Sequence, residues 1–254
     1  MKELKPWLII TTICYLFFLF WNLPAERVLS VMTSKGLVPD FIVLTSSPEG
    51  SWNSGRSTGI NVAGFKISEL NWKLRPAALL LGRLQFDMDC NMPGGKSSWT
   101  LQLSRSTLAI KRLRVELSAA ILGQTMPGFE LSGSLRSEDV SFKLQNGLIA
   151  SAAGRASWNE AGINSPYNMA IGGLVLELTT GETGINLKIN DAGGPLQASI
   201  IGLLGPNGEY SFDGTISARQ GSPPDLATFL QLFGRPGSDG MILIALKGRL
   251  PSFK

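Results

Sequence analysis

The chain has 254 residues and a formal net charge of only +4, a balance too mild to indicate a nucleic-acid partner. It contains no histidine, which removes the usual general base near neutral pH, the usual partner of a serine or cysteine nucleophile and the commonest zinc ligand. Of its two cysteines, Cys14 lies in an apolar N-terminal run and Cys90 in the polar remainder, so a disulfide framework is not expected.

The N-terminal residues have the composition of a membrane-spanning helix. Residues 6–25 carry no charge, and a helix needs about 20 mostly apolar residues to cross a bilayer. Lys2 and Lys5 precede the run, so the positive-inside rule places the N-terminus in the cytoplasm. The predicted segments are a cytoplasmic stub at 1–6, a transmembrane signal-anchor helix at 7–25 and an outward domain at 26–254. The bulky residues expected to hold the anchor in the bilayer are Trp7, Leu16, Phe17, Phe18, Phe20 and Trp21.

A cleaved signal peptide is the alternative interpretation of the same residues. A lysine-bearing start, an apolar run and the small Ala25 fit it. However, Leu23 occupies the upstream small-residue position of a cleavage site, and the apolar run is longer and bulkier than in most signal peptides. The sequence therefore favours an uncleaved anchor.

Two strands with a helical interruption are predicted after the anchor. Apolar and polar residues alternate over 68–75 and again over 83–89, which is typical of strands with one solvated face. Pro76 suits the first position of a helical turn, and Gly82 suits the position just after its end. We therefore expect one helical turn at 76–81 between the strands.

The rest of the chain repeats the strand pattern. Alternating segments follow one another to residue 216, separated by turns rich in glycine and asparagine, and "TTGETG" at 179–184 predicts a hairpin. Many short strands joined in this way predict a mainly β fold, an antiparallel sheet with one or two short helices.

One helix is predicted near the C-terminus. Ser222 precedes two prolines and resembles an N-cap, apolar residues recur at helical spacing over 226–233, and Gly234 ends the pattern. We expect this helix to lie on the sheet. Residues 241–246 are apolar on both faces, which favours a central strand covered on both sides.

Two motifs resemble ligand sites. Residues 90–98, "CNMPGGKSS", end like a phosphate-binding loop, but Cys90 replaces the first glycine and a strand pattern follows in place of a helix. Asp87 and Asp89 share one strand face, but no further acidic cluster accompanies them. We expect a hairpin loop and a solvent-facing carboxylate pair, with no catalytic, cofactor or metal site.

The motif "SWN" occurs at Trp52 and again at Trp158. Two related halves, at about 45–125 and 126–254, would explain the repetition. A shared turn chemistry, in which tryptophan anchors the chain and asparagine and glycine turn it, is the alternative explanation.

The order of several stretches resembles the protein N family of the type II secretion system, the general secretion pathway. The apolar anchor is followed by "LPAERVL", "GSWNSGRS" and "ELNWKLRPAALLLGRLQFDM", and later by "GPLQASIIGLLGPNGEYSFDGTISAR" and "ILIALKGRL". The resemblance covers nearly the whole chain, although residues 104–168 match only in general character. Each motif is short, so the specificity comes from their order and spacing.

The resemblance implies a single-pass inner-membrane protein with a periplasmic domain, accessory to the export of folded proteins across the outer membrane. It implies no enzyme activity and no cofactor. The implied partners are other secretion components and the lipid bilayer, without nucleic acid or a small-molecule substrate. The corner at 76–82 is expected to bury Ala77 to Leu81. The residues expected to form the framework are Trp52, Gly55, Trp72, Pro76, Gly82, Trp158, Gly194 and Pro195.

A lipid-handling module is the alternative function. Membrane-anchored periplasmic proteins of the AsmA-like and lipopolysaccharide-transport kinds also pair one N-terminal helix with a long antiparallel sheet that has an apolar concave face. Leu70, Trp72, Phe86 and Leu101 separate the two hypotheses. If these side chains line an open face they favour lipid, whereas in a sealed core they favour protein docking.

Overall fold

The computed structural model describes residues 4–36, 42–62, 64–124, 126, 128–145 and 148–249. Two helices come first, α1 at Leu4–Trp21 and α2 at Ala25–Ser34. The extended backbone of Pro24 separates them and forms a β-bridge with Ser51. The predicted anchor at 7–25 is therefore not one continuous helix: residues 7–21 lie in α1, residues 22–24 lie outside a helix, and Ala25 begins α2. Within the described residues, no helix combines the length and apolar composition needed to span a membrane.

One antiparallel sheet contains all the strands of the described residues, so the expected mainly β fold is confirmed. The strands are β1 Ile42–Leu44, β2 Glu49–Ser51, β3 Ser54–Val62, β4 Phe65–Leu74, β5 Leu84–Met92, β6 Gly95–Leu103, β7 Thr107–Ser118, β8 Glu130–Gln145, β9 Leu148–Ser165, β10 Met169–Thr180, β11 Ile185–Asp191, β12 Leu196–Leu204, β13 Glu209–Ala218 and β14 Ile242–Arg249. Each strand pairs with its neighbours in the chain, except that β1 pairs with β3 and β2 lies beside β3 only.

Three short helical segments interrupt this meander. α3 covers Pro76–Leu79, a 3₁₀ turn covers Ala119–Gln124, and α4 covers Pro224–Leu230. The predicted helical turn, the predicted hairpin between β10 and β11, and the predicted hairpin loop between β5 and β6 are confirmed.

Successive turns of a meander lie at opposite ends of the strands. We call the end of the sheet at which α1 joins it the junction edge, and the opposite end the far edge. The junction edge carries the β2–β3 turn, α3 and the turns that follow β6, β8, β10 and β12. The far edge carries the other turns, the 3₁₀ turn and α4. α1 joins the sheet at the junction edge, beside Trp52 in the β2–β3 turn.

One face of the sheet is apolar from strand to strand, because partners in an antiparallel pair point to the same side. Leu117 pairs with Leu135, Leu135 with Trp158, and Trp158 with Leu174. The same face continues through the pairs of Leu176, Ile189 and Ile200. We call it the apolar face; pairs such as Glu177 and Lys188 lie on the opposite side.

The sealed core lies at the far edge, where α4 packs on the apolar face. Leu226 is 1% exposed and Leu230 is 4% exposed. They form one cluster with Ile171, Ile216 and Ile242. The expectation that the predicted helix lies on the sheet is confirmed.

Most of the apolar face is not sealed in this way. The chain exposes 16339 Å² of surface, whereas a compact monomer of its mass exposes about 11,000 Å². A single layer of strands, with helices over only part of it, and the exposed body of α1 both contribute to the excess. The fold is therefore an open sheet with a local core under α4.

Two expectations for the C-terminal region are wrong. β14 is the last strand of the sheet and not a central one, because nothing pairs with its outer side in the described sheet and α4 covers one face only. Leu243, which points away from α4, is 77% exposed. Ser222 does not cap α4: Pro223 precedes the helix without a side-chain cap, and the Ser222 hydroxyl donates to the Pro195 carbonyl at 2.9 Å.

Candidate functional site

The C-terminal end of α1 is tied to the sheet by side chains of the β2–β3 turn. The last carbonyls of a helix lack partners within the helix and need donors from elsewhere. The Trp52 indole N–H donates to the Phe20 carbonyl at 2.8 Å, and the Asn53 amide donates to the Trp21 carbonyl at 2.8 Å. The Trp52 backbone N–H also donates to the Leu23 carbonyl at 3.1 Å. We call these five residues the helix junction.

Aromatic packing reinforces the helix junction. The ring centroids of Phe20 and Trp52 lie 5.0 Å apart, and those of Trp21 and Trp52 lie 6.3 Å apart in an edge contact. Such ring pairs contribute about 0.5–1.5 kcal/mol beyond the apolar area that they bury. Hydrogen bonds and ring contacts together fix the direction in which α1 leaves the sheet.

Trp72 and Gly55 pack against each other next to the β2–β3 turn and stabilise it. The Trp72 indole N–H donates to the Ser51 carbonyl at 3.2 Å. Gly55 is the register partner of Trp72, and a Cβ at this position would lie 2.5 Å from the Trp72 ring and 2.4 Å from the Glu49 carbonyl oxygen. The structure thus brings the framework residues Trp52, Gly55 and Trp72 together.

The remaining framework residues lie elsewhere. Pro76 and Gly82 flank the turn that contains α3 at the junction edge. Trp158 lies within β9, and its indole N–H donates to the Ser132 carbonyl at 2.9 Å. Since Trp52 is in a turn and Trp158 in a strand, shared turn chemistry does not explain the repeated motif; the duplication stays a prediction.

Gly194 and Pro195 lie at the far edge in a polar network that the sequence did not reveal. Arg219 donates to the Gly194 carbonyl at 2.7 Å and forms an ion pair with Asp191. Burial disfavours the charged Asp191 carboxylate, but the N–H groups of Ala198, Arg219 and Gly193 outweigh it and hold the pKa of Asp191 below its usual value. The glycine-rich turn was visible in the sequence, but its pairing with Arg219 depends on the sheet.

The corner after β4 differs from the expectation. Ala78 is buried, but Ala77 and Leu79 are exposed, Leu80 is 89% exposed and Leu81 is 73% exposed. Apart from Ala78, the expected burial of Ala77 to Leu81 is therefore wrong, because the turn projects beyond the strand ends and none of the other elements that the structure describes covers it.

The four residues expected to distinguish a sealed core from an open lipid-binding face are neither fully buried nor fully exposed. Leu70, Trp72, Phe86 and Leu101 lie on the apolar face and are all half-buried. They contact neighbouring strands, but no second layer among the described elements covers them as α4 covers the core at the far edge. The arrangement offers apolar contact area and not a set of converging polar groups.

The paired carboxylates do not form a ligand site. Asp87 accepts hydrogen bonds from Arg75 at 2.6 Å and from Thr100 at 3.0 Å, so it does not face solvent freely as expected. Burial opposes its ionisation, but Arg75 and Thr100 outweigh that effect and lower the pKa of Asp87. In the part of the chain that the structure describes, no group of three or more potential metal-ligating side chains occurs.

Comparisons with known proteins show the family to which the chain belongs. The family model "Type II secretion system (T2SS), protein N" matches residues 43–245. The chain is similar to the type II secretion system protein N of Vibrio cholerae serotype O1, with 23% identity over 90% of this chain and 92% of the relative. It is also similar to the type II secretion system protein N of Klebsiella pneumoniae, with 24% identity over 90% of this chain and 89% of the relative. No solved structure matches. Since the matched segment runs from β1 into β14, the chain belongs to the type II secretion system protein N family.

Proposed function

We propose that this chain is a non-enzymatic accessory component of the type II secretion pathway, held in the inner membrane by α1 and carrying its sheet in the periplasm. Its partners are other secretion components, which it meets through protein contacts. No step of this role requires a cofactor or a nucleophile.

The helix junction is the observation that carries the proposal. Side chains from Ile10 to Phe20 are exposed along α1, so the body of the helix does not pack on the sheet. Its C-terminal end is fixed to the sheet through Trp52 and Asn53. A helix with mostly apolar exposed side chains, hydrogen-bonded at one end to a folded domain, suits a membrane anchor that keeps the domain at the membrane surface.

A complementation experiment tests the proposal. In a host lacking its own copy, the full chain should restore export and remain in membranes washed at alkaline pH. A variant in which residues 1–25 are replaced by a cleavable signal peptide should fold, be released and fail to restore export. Restoration by the released variant would remove the anchor from the proposal, and export that is normal without the chain would remove the secretion role.

A second candidate function, lipid handling, is favoured by the open apolar face. The paired variant Leu176→Gln, Ile189→Gln places two amides on that face, whereas Glu177→Gln, Lys188→Gln changes the opposite side of the same strands. If the face carries lipid, acyl lipid that copurifies with the full chain is lost in the first pair and retained in the second. Equal lipid content in both pairs would exclude this function.

A further inference from the structure

The corner after β4 exposes an apolar tip at the junction edge, where α1 joins the sheet. α3 and the residues after it form a turn closed by its own backbone, since Leu81 N–H donates to the Ala78 carbonyl at 3.0 Å and Arg83 N–H to the same carbonyl at 3.2 Å. The side chains of Leu80 and Leu81 therefore project outward. We call these two residues the leucine tip.

A small cleft with two arginines lies next to the leucine tip. Its volume is about 490 Å³. Leu84 and Leu103 are register partners, which brings Arg83 of one turn beside Arg105 of the next. Both arginines are exposed, and neither guanidinium has an ion-pair partner among the described residues. The remaining residues that line the cleft are Leu79, Gly82 and Ser104.

The unpaired charge contrasts with the other arginine of this corner. Arg75 is neutralised by Asp87 at 2.6 Å on the adjacent strand. Arg83 and Arg105 thus present two free positive charges around an apolar floor. That combination complements a lipid, whose anionic phosphate and acyl chains require a cationic group and an apolar surface at the same place.

The tip is connected to α1 through a short path of hydrogen bonds. Asn53 donates to the Trp21 carbonyl at the end of α1, and Leu74 N–H donates to the Asn53 carbonyl at 2.6 Å, two residues before α3 begins at Pro76. The tip therefore lies at the junction edge, on the side of the sheet from which α1 leaves.

We infer that the leucine tip enters the lipid surface from which α1 emerges, and that Arg83 and Arg105 bind lipid phosphates there. This inference rests on the proposed membrane anchoring by α1. The second contact would stop α1 and the sheet from tilting together relative to the membrane, so that the sheet keeps one orientation there.

An environment-sensitive fluorophore on residue 80 tests the inference in the full chain. The labelled variant is Leu80→Cys with Cys14→Ser, because Cys14 is exposed whereas Cys90 is buried and inaccessible to the label. The control label is Lys96→Cys at the far edge, where Lys96 is exposed. Both proteins are placed in vesicles of phosphatidylcholine alone or with one quarter phosphatidylglycerol.

The fluorophore on residue 80 should shift to the blue and resist quenching by iodide, and more so with phosphatidylglycerol, while that on residue 96 stays aqueous. Arg83→Gln with Arg105→Gln should abolish the dependence on phosphatidylglycerol, and Lys66→Gln with Lys96→Gln at the far edge should not. An aqueous signal from residue 80 in a chain that resists alkaline extraction overturns this inference alone. A chain removed by alkaline extraction overturns the anchoring as well. A signal that is aqueous in vesicles but buried in native membranes assigns the tip to a protein partner instead.

Discussion

Gly55 has no room for any side chain, because Trp72 and the Glu49 carbonyl occupy the space on either side. The prediction for Gly55→Ala is a loss of about 1–3 kcal/mol in the free energy of unfolding, the usual cost of overpacking. Gly205→Ala is the matched control, since its added Cβ would meet its nearest atom at 3.5 Å. Chemical denaturation of both variants checks the prediction, and equal midpoints would contradict it.

The lowered pKa of Asp191 predicts how its contribution to the free energy of unfolding depends on pH. Its pKa in the folded state is lowered, whereas in the unfolded chain it is about 3.9. The carboxylate therefore contributes stability above the unfolded pKa, and this contribution is lost as pH falls through the folded pKa. Asp191→Asn should be less stable than the parent at pH 6, and the difference should shrink below pH 4. Denaturant midpoints measured across this range would contradict the prediction if the difference stayed constant.

At the scale of elements, β14 shows two faces with different roles. Ile242 is 3% exposed under α4, and its truncation to alanine should cost about 2–5 kcal/mol. Truncation of Leu243, the next residue on the strand, to alanine should lower the free energy of unfolding by less than about 0.5 kcal/mol. Thermal unfolding of the two variants gives the comparison, and similar losses would mean that a second layer covers β14.

Loss of the hydrogen bonds of the helix junction should open the chain locally around α1 and α2 without unfolding the sheet. Trp52→Phe with Asn53→Ala removes two side-chain hydrogen bonds, each contributing about 1 kcal/mol. Trypsin should then cut faster after the exposed Arg27 in α2, while the unfolding midpoint of the sheet changes little. Trp158→Phe, which removes an equivalent indole bond within the sheet, is the control and should leave this cleavage rate unchanged. Equal acceleration in both variants would contradict a specific junction.

The alternation of apolar and polar residues predicted the strands and the helix packed on them, because period and turn chemistry are local properties of the chain. It could not predict what covers each face. Residues 241–246 have the pattern of a central strand, yet residues 242–246 belong to β14, the last strand of the sheet. Leu80 is an apolar residue of the kind that usually lies in a core, yet it is exposed. The Asp191–Arg219 pair was also invisible, because its two residues meet only through the order of the strands.

At the scale of the whole molecule, the chain combines a stable end with an open surface. The core under α4 covers the far edge from β8 to β14, and the helix junction fixes α1 at the opposite edge. Between them the sheet presents an apolar face that is only half-buried. This arrangement suits the proposed role, in which α1 anchors the chain and the sheet offers a broad surface to partners.

The most direct test of the secretion role is purification of the full chain from its native membranes in mild detergent, followed by quantitative mass spectrometry of the bound proteins. We expect subunits of the type II secretion system to copurify with the parent chain, and to decrease when residues 7–23, most of which lie in α1, are replaced by an unrelated membrane helix. Acyl lipid bound in stoichiometric amount, with no secretion subunits in the same eluate, would contradict the proposed role and favour lipid handling.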